Sequence, residues 1–408
     1  MIEPNAQMVI ATYRVVDHQK ALEKRAEGIA IGLTIGSWTE LPQTRHQQVS
    51  AHCGQVQGIR VVEEVADGRV VAEISVGYPQ ANFNGTFAAL LTTVFGKLSM
   101  DGEIRLVRLQ IPDELARQYP GPKFGVSGCR SRYGVVERPL IMSIFKACVG
   151  LTLPELVSQF EEQALGGVDL VKDDEIFFTE AYATPESRVV AYREAARAIA
   201  ERTGRETAYA VNLTGPVHQL RERARRLSEL GAGALLVNIV AYGYDVVADL
   251  AADEDVNVPI LAHPAVSGAL YGGNTYGVEA DIVLGQLARM AGADMAIFPS
   301  MYGSVTLGQT ATERLIAHLR SDTVHKPSLP APSAGIYPGL VPQLYADFGN
   351  DLIVNAGGGI HGHPQGPAAG GQAFVEAIRA VRSGSTLSEA AKHSEVLRIA
   401  LQKWGTRD

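Results

Sequence analysis

The chain has 408 residues, 46% of them hydrophobic and 20% charged, a balance that excludes a disordered protein and supplies core for two or three domains. No stretch approaches the ~20 consecutive apolar residues of a membrane span, and the first residues lack the pattern of a secretion signal, so we expect a cytoplasmic protein. The formal net charge of -8, without a basic cluster, argues against nucleic acid or an anionic membrane as a partner.

The first part of the chain predicts a β-α-β-β-α-β order. The turn pair Asp67-Gly68 indicates a hairpin between two strands of alternating polarity. The predicted elements are strand 8–16, helix 21–33, strands 58–65 and 69–78, helix 86–98 and strand 103–111. This order is typical of a ferredoxin-like α+β domain, which we place at residues 1–125.

The remaining residues, 126–408, predict a second domain of alternating strands and helices. Short apolar, β-branched runs alternate there with longer helical stretches. Eight runs are predicted strands: 139–145, 167–172, 208–214, 234–243, 259–264, 294–300, 331–337 and 352–359. Eight βα units indicate an α/β fold of the (β/α)8 TIM-barrel type, with a doubly wound open sheet as the alternative. Polar or Gly-rich residues end most of these strands, where barrels carry their chemistry, and this favours the barrel.

A lysine and three acids follow the second barrel strand. Strand alternation points Lys172 and Asp174 to one side and Asp173 to the other, with Glu175 at the mouth. Two carboxylates suit a hard divalent cation, but an ammonium would repel it. Two interpretations therefore stay open. Either Lys172 forms an ion pair with the acids and no metal binds, or CO2 converts its amine into an anionic ligand.

Glycines close the last two barrel strands. The sequence "NAGGGIHGHPQG" contains Gly357 and Gly358, and "PSAGIYPG" contains Gly335. Barrel enzymes often bind phosphate between these loops, because glycine lets backbone N–H groups approach the anion. The alternative is a flexible Gly-rich loop without a ligand.

Single basic residues are weaker candidates. Lys146 ends the first barrel strand and His263 ends the fifth, where a histidine is as often a satisfied core residue as a ligand. Lys97 ends a predicted helix, a position that usually reflects favourable helix-dipole chemistry. His361 and His363 resemble a metal pair, but their spacing in a Gly-rich loop is a weak signal.

Long motifs in this order resemble the RuBisCO large-chain superfamily over nearly the whole chain. They are "GLTIGSWTELP", "RPLIMSIFKACVGLT", "GGVDLVKDDE", "LAHPAVSG", "PSAGIYPGLVP" and "NAGGGIHGHPQG". The resemblance implies that Lys172 is carbamylated (N6-carboxylysine) and binds Mg2+ together with Asp174 and Glu175.

The chain departs from true RuBisCO where carboxylation is decided. The segment 298–308 corresponds to the flexible sixth barrel loop but contains no lysine to hold CO2. Cys148 stands in place of a second lysine, and Pro264 in place of an arginine that grips the distal phosphate. We therefore expect no carboxylase activity.

The motifs that the chain retains are similar to those of the RuBisCO-like proteins of methionine salvage. That resemblance implies magnesium-dependent enolisation of 2,3-diketo-5-methylthiopentyl 1-phosphate by a homodimer whose active site lies at the subunit interface. It implies Lys97 as the base that takes the C1 proton, with Lys146 as the rival. It also implies phosphate binding by Gly335, Gly357 and Gly358, and we expect Ser333 and His263 at substrate oxygens. The alternatives are an isomerase of 5-methylthioribulose 1-phosphate or a related sugar phosphate and, more remotely, a non-catalytic phosphate-binding barrel.

Overall fold

A computed structural model describes residues 8–36, 49–178, 180–303 and 305–407. Part of the motif at 32–42 and one residue of the sixth barrel loop lie outside the described residues. Among the residues described, no helix is long and apolar enough to cross a membrane. Two sheets organise the chain, one in each predicted domain.

The N-terminal sheet confirms the ferredoxin-like order. Its strands are β1 Met8–His18, β2 Gln55–Glu64, β3 Arg69–Pro79 and β4 Ile104–Gln110. They run in the order β4-β1-β3-β2 with every neighbouring pair antiparallel. The predicted hairpin turn forms because Asp67 and Gly68 adopt left-handed φ values of 62° and 70°.

The C-terminal sheet is the predicted parallel barrel, nearly closed. Its strands run in the order β12-β11-β9-β8-β7-β6-β5-β13. The barrel strands are β5 Leu140–Ile144, β6 Leu170–Lys172, β7 Ala208–Asn212, β8 Ala234–Asn238, β9 Ile260–His263, β11 Met295–Pro299, β12 Leu329–Ser333 and β13 Ile353–Ala356. Inward-facing apolar residues fill the barrel, so the strands enclose a core instead of a pore.

One strand of the N-terminal sheet comes from the second part of the chain. Strand β10, Gly277–Val278, pairs in parallel with β4, where Gly277 faces Arg105. The Arg105 guanidinium also contacts the Glu279 carboxylate at 3.2 Å. This strand was not predicted from the sequence, because two residues carry no periodicity.

Two predicted strands end differently in the structure. The prediction at 234–243 is too long, because residues Ile239–Tyr242 form a helical turn that packs outside the barrel despite their β-branched composition. The prediction at 331–337 is two or more residues late. Ala334 and Gly335 have φ values of 68° and 70°, which extended strand backbone cannot continue.

Helices cover the barrel and one face of the N-terminal sheet. A six-residue π-helical segment, Asp281–Gln286, leads into α11, and a single 3-10 turn at Lys97–Met100 follows α2. The helices are α1 Leu22–Gly32, α2 Phe87–Phe95, α3 Asp113–Ala116, α4 Gly125–Tyr133, α5 Leu153–Leu165, α6 Pro185–Thr203, α7 Val217–Leu230, α8 Ile239–Tyr242, α9 Tyr244–Ala252, α10 Gly268–Tyr271, α11 Leu287–Met290, α12 Gln309–Arg320, α13 Val341–Phe348, α14 Gly358–His361, α15 Pro367–Arg382, α16 Leu387–Ala390 and α17 Glu395–Trp404.

Candidate active site

A cavity of about 450 Å³ opens at the carboxyl ends of the barrel strands. Strand alternation brings the last inward-facing residue of several strands to its wall. The side chains of Lys146, Lys172, Glu175, His263 and Ser333 and the backbone of Gly335, Gly357 and Gly358 all line it. One cavity therefore collects both predicted constellations, the acid and lysine cluster and the glycine loops.

Lys172 is the most deeply buried charged group of this cavity. Its side chain is 1% exposed, and Nζ donates to the backbone oxygen of Asp173 at 2.9 Å. Glu175 lies at the edge of ion-pair distance, 3.9 Å from Nζ. Burial lowers the pKa of Lys172 to about 8, although the nearby carboxylates oppose this shift. At neutral pH a minor fraction of this amine, on the order of a tenth, is therefore neutral, and the neutral amine is the form that reacts with CO2.

The two acids that follow Asp173 in the chain have different partners. Asp174 accepts a hydrogen bond from Lys146 Nζ at 2.6 Å. Burial alone would raise the pKa of Asp174, but the Lys146 ammonium outweighs burial and holds the pKa below its usual value. Glu175 lies 3.3 Å from His263 Nε2. Burial, reinforced by the charge of Lys172, lowers the pKa of His263 to about 3, so its imidazole is neutral at working pH.

Asp173 points away from the cavity, as strand alternation predicts. Its carboxylate is completely buried and accepts from Arg188 Nη2 at 3.1 Å and from Tyr209 OH at 2.7 Å. The backbone N–H of Asn212 adds a third bond at 2.9 Å. Both members of the Asp173–Arg188 pair are shielded from water, with side-chain exposures of 0% and 1%. These hydrogen bonds fix the backbone that carries Lys172, Asp174 and Glu175.

The donor set fits a divalent cation only if Lys172 is modified. Among the described residues, no group of three or more His, Cys, Asp or Glu forms a ready metal site. Asp174 and Glu175 supply two carboxylates, and the Lys172 amine, 3.9 Å from the Glu175 carboxylate, is a further group that could become an oxygen ligand. Carbamylation would remove the repulsive ammonium and supply that ligand in one step.

The glycines leave room at the other end of the cavity. A Cβ added at Gly357 would lie 2.9 Å from Lys146 Cε, so a side chain there would fill the cavity. Gly335 has a φ of 70°, and an added Cβ would lie 2.6 Å from Gly303 Cα. A Cβ at Gly358 would meet nothing within 4 Å, so its backbone faces open space. An anion can approach these backbone groups closely.

Lys97 does not join this cavity within one chain. It begins the 3-10 turn Lys97–Met100, is exposed, and lines a separate pocket of about 340 Å³ in the N-terminal domain. That pocket also contains Arg25 and Asp101, but none of the predicted barrel residues. If Lys97 acts on a ligand of the barrel cavity, it must act on that of another subunit.

The two loop histidines do not form a metal pair. His361 Nε2 lies 2.9 Å from the backbone oxygen of Ile144, whereas His363 Nε2 lies 3.0 Å from that of Val396. Each ring therefore ties the last barrel loop to a different element. These contacts explain both histidines by packing.

Three asparagines lie at the inner ends of barrel strands. The sequence places Asn212 and Asn238 among the polar residues that end strands but gives them no role, and it does not single out Asn355. Asn212 Nδ2 donates to the backbone oxygens of Asp174, Glu175 and Phe177 at 3.1 to 3.4 Å. Asn238 Nδ2 donates to the Glu175 oxygen at 3.4 Å. Asn355, on β13, lines the cavity itself. Their one sequence signal is an amide residue at or near the end of an otherwise apolar run.

The fold and this site define a TIM-barrel protein with lysines and a carboxylate facing glycine-rich loops at the barrel mouth. Residues 125–404 match the family described as "Ribulose bisphosphate carboxylase large chain, catalytic domain", and residues 1–115 match its N-terminal domain. The chain belongs to the RuBisCO large-chain family.

Curated relatives and solved structures show which members of the family the chain is similar to. The "2,3-diketo-5-methylthiopentyl-1-phosphate enolase" of Geobacillus thermodenitrificans is 49% identical, over 97% of this chain and 98% of the relative. The protein of that name from Bacillus licheniformis is also 49% identical, with the same coverage. A "rubisco-like protein (MtnW)" from Alicyclobacillus acidocaldarius is 73% identical, with a TM-score of 0.95 over 98% of this chain and 100% of that chain. An octameric RuBisCO from Pyrococcus horikoshii is 30% identical, with a TM-score of 0.91 over 99% and 95% of the two chains.

Proposed function

We propose that this protein enolises 2,3-diketo-5-methylthiopentyl 1-phosphate to 2-hydroxy-3-keto-5-methylthiopentenyl 1-phosphate in methionine salvage, without carboxylating its substrate. The observation that carries the proposal is the cavity that Lys172 and Glu175 line together with Gly335, Gly357 and Gly358. The names of the 49% identical relatives support this substrate. The lack of a lysine in segment 298–308 supports enolisation without carboxylation.

The proposed cofactors are Mg2+ and CO2, the latter as the Lys172 carbamate. When bound, the cation polarises the ketone oxygens of the substrate and stabilises negative charge on them. Lys172, as N6-carboxylysine, would hold it together with Asp174 and Glu175. The Asp173–Arg188 network keeps the backbone of these ligands in place, so the ligand set does not have to be assembled for each turnover.

The proposed base for the C1 proton is Lys97, and the geometry of Lys146 supports that choice. Lys146 already donates to Asp174 at 2.6 Å, and an ammonium in that contact is poorly suited to accept a proton. Because Lys97 lies outside its own chain's cavity, the proposal requires a homodimer with the active site at the interface. Solved relatives include a dimeric RuBisCO from Hyperthermus butylicus and an octameric one from Pyrococcus horikoshii.

The phosphate would bind through the backbone N–H groups of Gly335, Gly357 and Gly358. Ser333 and the neutral His263 would contact substrate oxygens, since both line the same cavity. We also propose the domain division at residue 125 and a cytoplasmic location, which stay predictions from the sequence.

Proton NMR in D2O tests the function. The purified protein, with Mg2+ and bicarbonate, is expected to convert the diketone phosphate to its enol and to exchange the C1 proton. Conversion of 5-methylthioribulose 1-phosphate instead would favour the isomerase alternative, and binding without turnover would favour the non-catalytic barrel. Carboxylation of ribulose bisphosphate would contradict the argument from the sixth loop.

A further inference from the structure

The catalytic cavity contains a buried side-chain amide without a hydrogen-bond partner among the residues that the structure describes. Asn355 is 1% exposed and lies on β13 in the wall of the cavity. Neither its Oδ1 nor its Nδ2 makes a hydrogen bond to any protein group within the described residues. A buried amide without a partner costs roughly 1 to 3 kcal/mol per polar group, so an unpaired amide at this position needs an explanation.

The position of Asn355 follows from the alternation of its strand. Ile353, two residues earlier, belongs to the apolar filling of the barrel, so Asn355 also points inward, one level higher. Gly357, two residues later, lies against Lys146, since an added Cβ would come within 2.9 Å of Lys146 Cε. Asn355 therefore lies where the apolar core ends and the cavity begins, beneath the glycine loop.

The other two inward asparagines show that Asn355 is different. Asn212 uses both ends of its amide, donating to the 174–177 segment and accepting from Thr214 Oγ1 at 2.8 Å. Asn238 uses its Nδ2 for the same segment. The Asn355 side chain bonds to no segment in the described part of the chain, so its amide is free to bind a ligand in the cavity.

We propose that Asn355 binds the reacting oxygens of the substrate, as a residue that tells a ketone phosphate from a simple phosphate. This inference rests on the proposed function. Enolisation removes a proton from C1, forms a C1–C2 double bond and adds a proton to the C2 oxygen, so a hydrogen-bond acceptor becomes a hydroxyl donor. Nδ2 donates to the ketone oxygen and Oδ1 accepts from the enol hydroxyl, so one amide serves both states. An ionised carboxylate in its place could only accept hydrogen bonds, and a hydroxyl would have to donate and accept through a single oxygen.

The test compares Asn355→Leu with Asn355→Asp and with the matched control Asn350→Leu. Asn350 lies before β13, away from the cavity, and its Oδ1 is likewise buried without a partner. Each protein is loaded with Mg2+ and bicarbonate and titrated calorimetrically with inorganic phosphate and with dihydroxyacetone phosphate, a simple ketone phosphate. Steady-state turnover of the diketone phosphate and thermal melting of the ligand-free proteins complete the set.

We expect wild type to bind the ketone phosphate more tightly than phosphate, and both Asn355 variants to lose that preference. The kcat/KM of both variants should fall by roughly tenfold or more, since the ketone oxygen of the substrate is then left without a hydrogen-bond donor in a buried site. The phosphate affinity of Asn355→Leu should stay unchanged, and this variant should melt no lower than wild type, because it loses no hydrogen bond within the described residues. The Asn350→Leu variant should retain wild-type values in both titrations and in turnover.

Two results would overturn the inference. One is a ketone-phosphate preference that is absent in wild type or survives in Asn355→Leu. The other is a parallel loss of phosphate affinity and melting temperature, which would mark Asn355 as a structural residue. A failure of the proposed function is separate, because it appears as a wild type that does not turn over the diketone, while the two titrations still decide the role of Asn355.

Discussion

Replacing Lys172 with methionine should make the folded protein more stable at neutral pH while abolishing activity. The ordinary lysine pKa of 10.5 applies to the unfolded chain, whereas burial lowers the pKa of Lys172 to about 8 in the folded protein. Between these two values the unfolded chain binds more protons than the folded one, so stability rises with pH across that interval. At about 1.4 kcal/mol per pH unit, the penalty below pH 8 amounts to roughly 3 kcal/mol. Methionine fills similar space without a charge, so it removes the penalty.

The assay is urea unfolding of wild type and Lys172→Met at several pH values between 7 and 10, in buffers freed of CO2. The stability advantage of the variant should be largest at pH 7 to 8 and shrink as the pH approaches 10.5. Lys392→Met, at an exposed lysine, is the control and should show no such trend. Adding CO2 and Mg2+ should then stabilise wild type alone. A difference between wild type and Lys172→Met that does not vary with pH would refute the reasoning.

Four further outcomes are expected. Lys97→Ala should abolish C1 proton exchange measured by NMR, whereas Lys146→Ala should leave a detectable rate; full exchange without Lys97 would assign the base elsewhere. Because the pKa of His263 is lowered to about 3, this residue does not titrate between pH 5 and 7. The pH profile of kcat/KM in that range should therefore have the same shape in wild type and in His263→Gln. Asp173→Ala leaves the Arg188 guanidinium buried without its partner, so calorimetric or urea unfolding should show a loss of about 3 to 5 kcal/mol. EDTA should abolish turnover, and Mg2+ should restore it fully only when bicarbonate is also present.

The acid cluster was predictable from the sequence because its members are adjacent in the chain. Alternation along a strand fixes the opposite directions of Asp173 and Asp174, and no long-range information is needed for that. The same holds for the hairpin at Asp67-Gly68, where the turn chemistry is local. Eight apolar runs, each followed by a helix, were likewise enough to predict the barrel.

Other features depend on contacts between distant parts of the chain. The ion pair of Lys146 with Asp174 joins the loops that follow β5 and β6, and the approach of His263 to Glu175 joins β9 to the same β6 loop. The Asn355 amide has no hydrogen-bond partner among the described residues around it, and the linear sequence does not show which residues surround it. The role of Lys97 likewise cannot be read from one chain. Lys97 lies outside the cavity of its proposed substrate, although the resemblance implies that it is the base.

The pairing of β10 with β4 affects how this protein is made. Strand β4 ends at Gln110, but its parallel neighbour begins at Gly277, after five of the eight barrel strands in the order of synthesis. During translation the N-terminal sheet therefore emerges with an unpaired edge that stays open until most of the barrel has left the ribosome. Exposed strand edges promote association with other chains. An N-terminal fragment ending near residue 125 should for this reason aggregate more readily than the full chain.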